Sequence, residues 1–228
     1  PGVLLAVAPT GRRAEALGAA LSDVIPDAEV LHFPAWETLP HERLSPSPET
    51  VGRRLALLRA VASWDGRRPL VVTASVRSAL QPLAAGLTDA GVIALSVGGR
   101  GYDLDGVTHR LVDLAYHRVD MVSRRGEFAV RGGILDVFPP AADHPYRVEF
   151  FGDEIDQIRA FSVADQRSLP GEMTDITLLP SRELLLTPAV RERAAALRER
   201  FPGLRSMLEK MSEGIPVEGM ESLLPVLA

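Results

Sequence analysis

The apolar residues of this chain keep one pattern up to about residue 92 and a different one beyond it. In the first stretch, Val3-Leu4-Leu5-Ala6-Val7-Ala8 and Leu70-Val71-Val72-Thr73-Ala74 are continuous apolar runs. Such runs predict strands buried on both faces, as in a parallel sheet. Glu29 to Phe33 predicts another short strand. Helical stripes lie between them. Ala14, Leu17, Leu21 and Val24 follow a capping Thr10, and Val51, Leu55, Leu58 and Val61 follow Ser47-Pro48-Glu49. That second start has serine at the cap, proline at the first helical position and an acid in the first turn. Ser75 can cap a short helix toward Leu80. Strand alternating with helix implies parallel pairing through right-handed crossovers.

Beyond residue 93 the composition changes. Asp105 to Tyr116 reads as one helix on Val107, Leu111 and Leu114, and after it the period becomes two. Phe128 and Val130 share one face of a strand, while Glu127, Ala129 and Arg131 share the other. Gly132-Gly133 permits a bend, and Ile134 to Phe138 continues as strand. Tyr146-Arg147-Val148-Glu149-Phe150-Phe151 alternates again, Gly152-Asp153-Glu154 turns, and Ile155 to Phe161 returns. These features predict an antiparallel region with one or two helices, inserted after the parallel part. Val97-Gly98-Gly99-Arg100-Gly101 reads as a linker. From about residue 179 helical spacing resumes, with Thr187-Pro188 starting one helix and Leu204 to Met211 forming another. Arg191-Glu192-Arg193 and Arg198-Glu199-Arg200 read as a solvated helix face.

If Tyr146, Val148 and Phe150 face the core, Arg147, Glu149 and Phe151 face outward together, near Arg131. Two readings of that patch stay open. It is an interface, because aromatics and arginine are enriched there. Or Phe151 packs under a loop and the arginines pair with nearby carboxylates.

Catalytic chemistry has little support. A phosphate-binding loop needs close-packed glycines, a lysine and a Ser/Thr, and no G-x-x-x-x-G-K-[ST] occurs. Pro9-Thr10-Gly11-Arg12-Arg13 follows a strand and opens a helix but lacks the lysine; of the 25 basic residues only Lys210 is lysine. Asp153-Glu154-Ile155-Asp156 matches the helicase acid motif literally but falls in a hairpin turn rather than on a buried parallel strand. No catalytic residue, metal site or cofactor is therefore assigned. A net charge of −5 argues against a dedicated nucleic-acid binder. The absence of cysteine excludes disulfides and thiolate sites. No apolar run approaches the roughly 18 residues of a membrane span. The chain opens Pro1-Gly2-Val3, directly at a strand, so a longer parent protein is expected.

Phe128-Ala129-Val130-Arg131-Gly132-Gly133-Ile134-Leu135-Asp136-Val137-Phe138-Pro139, followed by Tyr146-Arg147-Val148-Glu149-Phe150-Phe151-Gly152-Asp153-Glu154-Ile155-Asp156, closely resembles the UvrB-like module. That module is shared by the excision-repair helicase UvrB and the bacterial transcription-repair coupling factors (the Mfd family). Trp36-Glu37-Thr38-Leu39-Pro40 with Ser45-Pro46, and Asp120-Met121-Val122, are more similar to the Mfd family, and the resemblance covers essentially the whole chain. UvrB carries instead a tyrosine-rich DNA-binding hairpin, which has no counterpart here.

The resemblance implies an α/β fold: a degenerate RecA-like, P-loop-type parallel sheet with an inserted antiparallel α+β domain like UvrB domain 2. It implies that residues 1–92 are the first half of the RecA-like domain, 93–178 the inserted UvrA-binding domain, and 179–228 the returning second half. It implies a non-catalytic adaptor that recruits UvrA to lesion-stalled RNA polymerase in nucleotide excision repair. ATP and magnesium, and contacts to RNA polymerase and double-stranded DNA, would belong to other regions of a full-length translocase in the bacterial cytoplasm. Intramolecular masking by a C-terminal region is expected, and no membrane partner. The family's UvrA-contacting residues map to Arg131, Arg147 and Phe151, with Glu127, Glu149 and Asp153 as weaker candidates for orienting the arginines. Alanine at Arg147 or Phe151 is then expected to weaken UvrA binding and leave the melting temperature nearly unchanged. The alternative is the N-terminal part of a UvrB-type ATP-dependent helicase that binds DNA directly.

Overall fold

The computed structural model describes residues 2–39, 42–84 and 91–228. Pro1 of the opening Pro1-Gly2-Val3 and Pro40 of the Trp36–Pro40 signature lie outside the described residues. The first segment runs β1 (Val3–Ala8), α1 (Gly11–Val24), β2 (Glu29–Phe33), α2 (Pro48–Ala62), β3 (Leu70–Ser75) and α3 (Val76–Leu80). Its sheet has the order β1-β3-β2, and both pairings are parallel. The helix starts follow the sequence signals. Thr10 caps α1, Ser47 accepts from the Thr50 amide at the start of α2, and Ser75 and Ser78 form a capping box on α3. Each supplies acceptors to amides that no earlier turn can satisfy.

β3 is buried at every residue, as a doubly covered strand should be. β1 is not. Val3, Leu4, Leu5 and Val7 are 46–58% exposed. Among the described residues β1 pairs with β3 alone, and a continuous apolar run does not say what covers a strand's faces.

The second segment runs β4 (Ile93–Ser96), α4 (Leu104–Asp113), β5 (His117–Arg118), β6 (Glu127–Arg131), β7 (Ile134–Val137), β8 (Tyr146–Phe151), β9 (Glu154–Ala160) and β10 (Asp175–Leu178). β5 to β9 form one sheet in chain order, with β6 to β9 antiparallel. β4 pairs antiparallel with β10. The two layers close on Ile93, Leu95, Leu111, Phe128, Leu135, Val148, Ile155, Ile158 and Leu178. The opposite face of the sheet is covered at one end by a smaller core of Val122, Ala129, Phe138 and Phe161. Ala129 is therefore buried although alternation sets it on the outer face. The glycine-rich stretch is not a free linker. The Gly98 amide donates to the Ile155 carbonyl at 2.8 Å, and the Ile155 amide donates to Gly99 at 3.2 Å. A side chain at Gly99 would meet Tyr102 and Ser96 below 3.0 Å, so the glycine lets this strap lie flat.

The last segment supplies α5 (Pro188–Leu197), α6 (Arg205–Ser212) and α7 (Leu224–Leu227). They pack Val190, Ala194, Leu208, Met211 and Leu224 around Trp36, from the first segment. No helix among the described residues is long and apolar enough to cross a membrane.

Buried charge ties the first and last segments together. Arg54 on α2 donates to both Glu183 oxygens, at 2.5 and 3.3 Å, and to the Pro34 carbonyl at 3.0 Å. Trp36 Nε1 donates to the same carboxylate at 2.8 Å, and the guanidinium stacks over the Phe33 ring at 4.2 Å. Both charged side chains are 0% exposed. Nearby, Arg182 and the Ser45 hydroxyl both donate to buried Glu221.

The inserted segment is seated against α2 at Gly52. A methyl group there would stand 2.6 Å from the backbone of Pro140 and Ala141. Gly52→Ala is expected to destabilise the chain by about 1–3 kcal/mol, because backbone on both sides must move. Thermal denaturation checks this; an unchanged melting temperature would contradict so close a contact.

Candidate partner-binding surface

The outer face of the β6–β8 sheet is set by register. Asp136 stands opposite Ala129 on β6 and opposite Arg147 on β8, while Arg131 stands opposite Ile134. Arg131, Asp136 and Arg147 therefore share a face, with Asp136 on the middle strand. The tight Arg131–Ile134 turn makes this possible. Gly132 has φ +60°, in the left-handed region, and a Cβ at Gly133 would come 2.7 Å from the Phe150 carbonyl oxygen. Glycine is the residue that meets both demands without strain.

Asp136 is the hub. Arg147 donates Nε to Oδ1 at 2.7 Å and Nη2 to Oδ2 at 2.9 Å, a two-point pairing. Arg131 donates Nη2 to Oδ2 at 2.7 Å. The Asp136 side chain is 1% exposed, that of Arg147 20% and that of Arg131 55%. Arg147 is further held by the Phe161 ring, 4.9 Å away, and by the Gln166 carbonyl at 3.4 Å. Its hydrogen bonds to Asp136 hold its guanidinium more firmly in the charged form, against the opposing effect of burial. Two guanidiniums share one buried carboxylate, and Arg131 keeps donors free toward solvent.

Phe151 ends β8 on the same face and is 83% exposed. Each of the two open readings thus describes part of the patch. The phenylalanine does not pack under a loop, while both arginines do pair with a carboxylate. Of the weaker candidates, Glu149 lies on β8 between Ile134 and Gln157, and its charge also favours the Arg147 cation. Glu127 does not reach the arginines. Its carboxylate accepts the Ser123 and Arg124 amides at 2.8 Å each and closes that turn. Asp153 sits in the β8–β9 turn, where its carbonyl accepts the Tyr102 amide at 3.0 Å. The hub itself was missed by the sequence reading. Counting residue pairs outward from the two-glycine turn sets Asp136 beside both arginines, and that register was the available signal.

This arrangement suits recognition. It offers preformed guanidinium donors that match a carboxylate, beside a flat apolar side chain with nothing over it. Among the described residues no group of three His, Asp or Glu side chains is arranged to hold a metal ion.

A family model described as the UvrB interaction domain matches residues 93–184, which contain the whole of this surface. The chain is 54% identical over 239 aligned residues to the transcription-repair-coupling factor of Mycobacterium tuberculosis (strain CDC 1551 / Oshkosh), covering 99% of the chain and 19% of that protein. It is 35% identical to the Bacillus subtilis (strain 168) transcription-repair-coupling factor, over 84% of the chain and 16% of that protein. Against that of Escherichia coli (strain K12) it is again 35% identical, over 69% of the chain and 13% of that protein. The chain thus spans about a fifth or less of the length of the relatives it matches.

Proposed function

The chain belongs to the transcription-repair-coupling factor family, and from that membership we propose that it is an adaptor that docks the repair protein UvrA on its inserted sheet. Arg131, Arg147 and Phe151 form the docking surface. The observation that carries this reading is the exposed Phe151 on the same sheet face as two arginines fixed in advance, inside the segment that matches the UvrB interaction domain. A buried apolar anchor flanked by charged donors is the usual make-up of an energetically dominant contact.

In this reading the segments around the inserted domain (residues 1–92 and 179–228) are two halves of a RecA-like domain that has lost its nucleotide chemistry. Residues 93–178 are the binding domain. ATP hydrolysis, DNA translocation and RNA polymerase contact belong to other parts of the longer protein. The work of this chain is recruitment to stalled polymerase.

The test is capture of UvrA by the chain, repeated with Arg131→Ala. Arg131 is half-exposed and makes one bond to Asp136, so its loss spares the fold. The expected cost is about 2 kcal/mol, roughly thirtyfold in Kd. Equal capture by both chains would remove Arg131 from the surface.

A further inference from the structure

We infer that Asp136 is a positioning residue for this docking surface: its buried carboxylate fixes the spacing of the two guanidiniums and presents the free Arg131 N–H groups to an acceptor, a carboxylate, on the partner. The inference rests on the reading of Arg131, Arg147 and Phe151 as the surface that meets UvrA.

Asp136 lies mid-way along β7 and touches almost no solvent. Both of its oxygens are committed, Oδ1 to Arg147 and Oδ2 to both arginines. Water has almost no access to the acceptor oxygens, and low polarity around them strengthens the bonds. Arg147 is the pillar. Two of its nitrogens are on Asp136, a third leans on Gln166 and its face lies on Phe161. Arg131 is the probe. One nitrogen is tethered, and the rest of the guanidinium extends from a side chain 55% exposed.

Two consequences follow. The conformational freedom of both side chains is given up on folding, so association does not have to remove it again. And without Asp136 the two guanidiniums would lose the carboxylate that both are bonded to, and nothing would hold them at a fixed spacing. With it, the free N–H groups of Arg131 are held outward on the face that also carries Phe151. The matching site on the partner is an acidic side chain next to an apolar pocket.

The experiment is a titration of UvrA with the chain and with Asp136→Asn. The amide keeps one acceptor oxygen but turns N–H groups toward guanidinium N–H groups, so the two-point pairing is lost. The expected result is at least a tenfold rise in Kd. In an Arg131→Ala/Arg147→Ala background the same substitution is expected to change Kd no further, since Asp136 acts only through the arginines. An unchanged Kd for Asp136→Asn, or an equal loss in both backgrounds, would overturn the inference.

If Asp136→Asn does not fold, nitrogen-15 NMR of the wild-type chain decides. The Arg147 Nε–H is expected to exchange slowly with water in the free chain. Fast exchange in the free chain would count against positioning. If Arg131→Ala and Phe151→Ala leave Kd unchanged, the docking surface itself is wrong. If they weaken binding while Asp136→Asn does not, the positioning role alone is wrong.

Discussion

Alanine at Glu183 is expected to lower the unfolding free energy by about 3–5 kcal/mol, the cost of breaking a buried ion pair from one side. The Arg54 guanidinium would stay in place, stacked on Phe33 and 0% exposed, with only the Pro34 carbonyl left as acceptor. Trp36 would lose the acceptor of its indole N–H as well. An uncompensated charge and an unsatisfied donor in one site place this among the costly single substitutions. At about 2–4 °C per kcal/mol for a chain of this size, the melting temperature falls by roughly 6–20 °C. Removing both charges together with Arg54→Met/Glu183→Leu is expected to cost much less, because no buried charge is then left alone. Thermal or urea denaturation of the three chains reads both effects. A loss under about 1 kcal/mol for Glu183→Ala would mean that water reaches the pair.

The second large effect concerns binding. Phe151→Ala is expected to cost about 2 kcal/mol or more of UvrA affinity, as truncation of an aromatic anchor does. The side chain is 83% exposed, so its removal leaves no cavity and strips no internal partner. Folding stability should stay within about 0.5 kcal/mol of the parent chain. Arg147→Ala does not share that simplicity. It deletes the two-point partner of Asp136 and the cation over Phe161. The sequence-based expectation of an unchanged melting temperature is therefore kept for Phe151→Ala and replaced for Arg147→Ala. Arg147→Ala is expected to weaken binding and folding together.

The contrast shows which parts of the molecule local pattern reaches. Alternation of period two along Tyr146–Phe151 put Arg147 and Phe151 on one face, and the structure has them there. Helix starts at Ser47 and Ser75 were legible because a cap is decided within four residues. The exposed β1 was not, since an apolar run states that a strand is apolar and not what lies on either side of it. The role of Asp136 is not legible locally, because its partners depend on the pairing register of three strands. Arg54 sits among the apolar positions Val51 and Leu55 of α2, and its counter-charge Glu183 is 129 residues away in sequence. Trp36 and Glu37, read as a family signature, turn out to do structural work. Trp36 donates to Glu183, and Glu37 accepts from the Ser47 amide and the Thr50 hydroxyl at the start of α2. Local pattern reads faces and caps; long-range charge pairing requires the fold.

The most direct test of the docking account is the UvrA dissociation constant of the chain and of Phe151→Ala, measured beside their melting temperatures. The account predicts a Kd at least about thirtyfold weaker for the variant at an unchanged melting temperature. Equal dissociation constants for the two chains would contradict it.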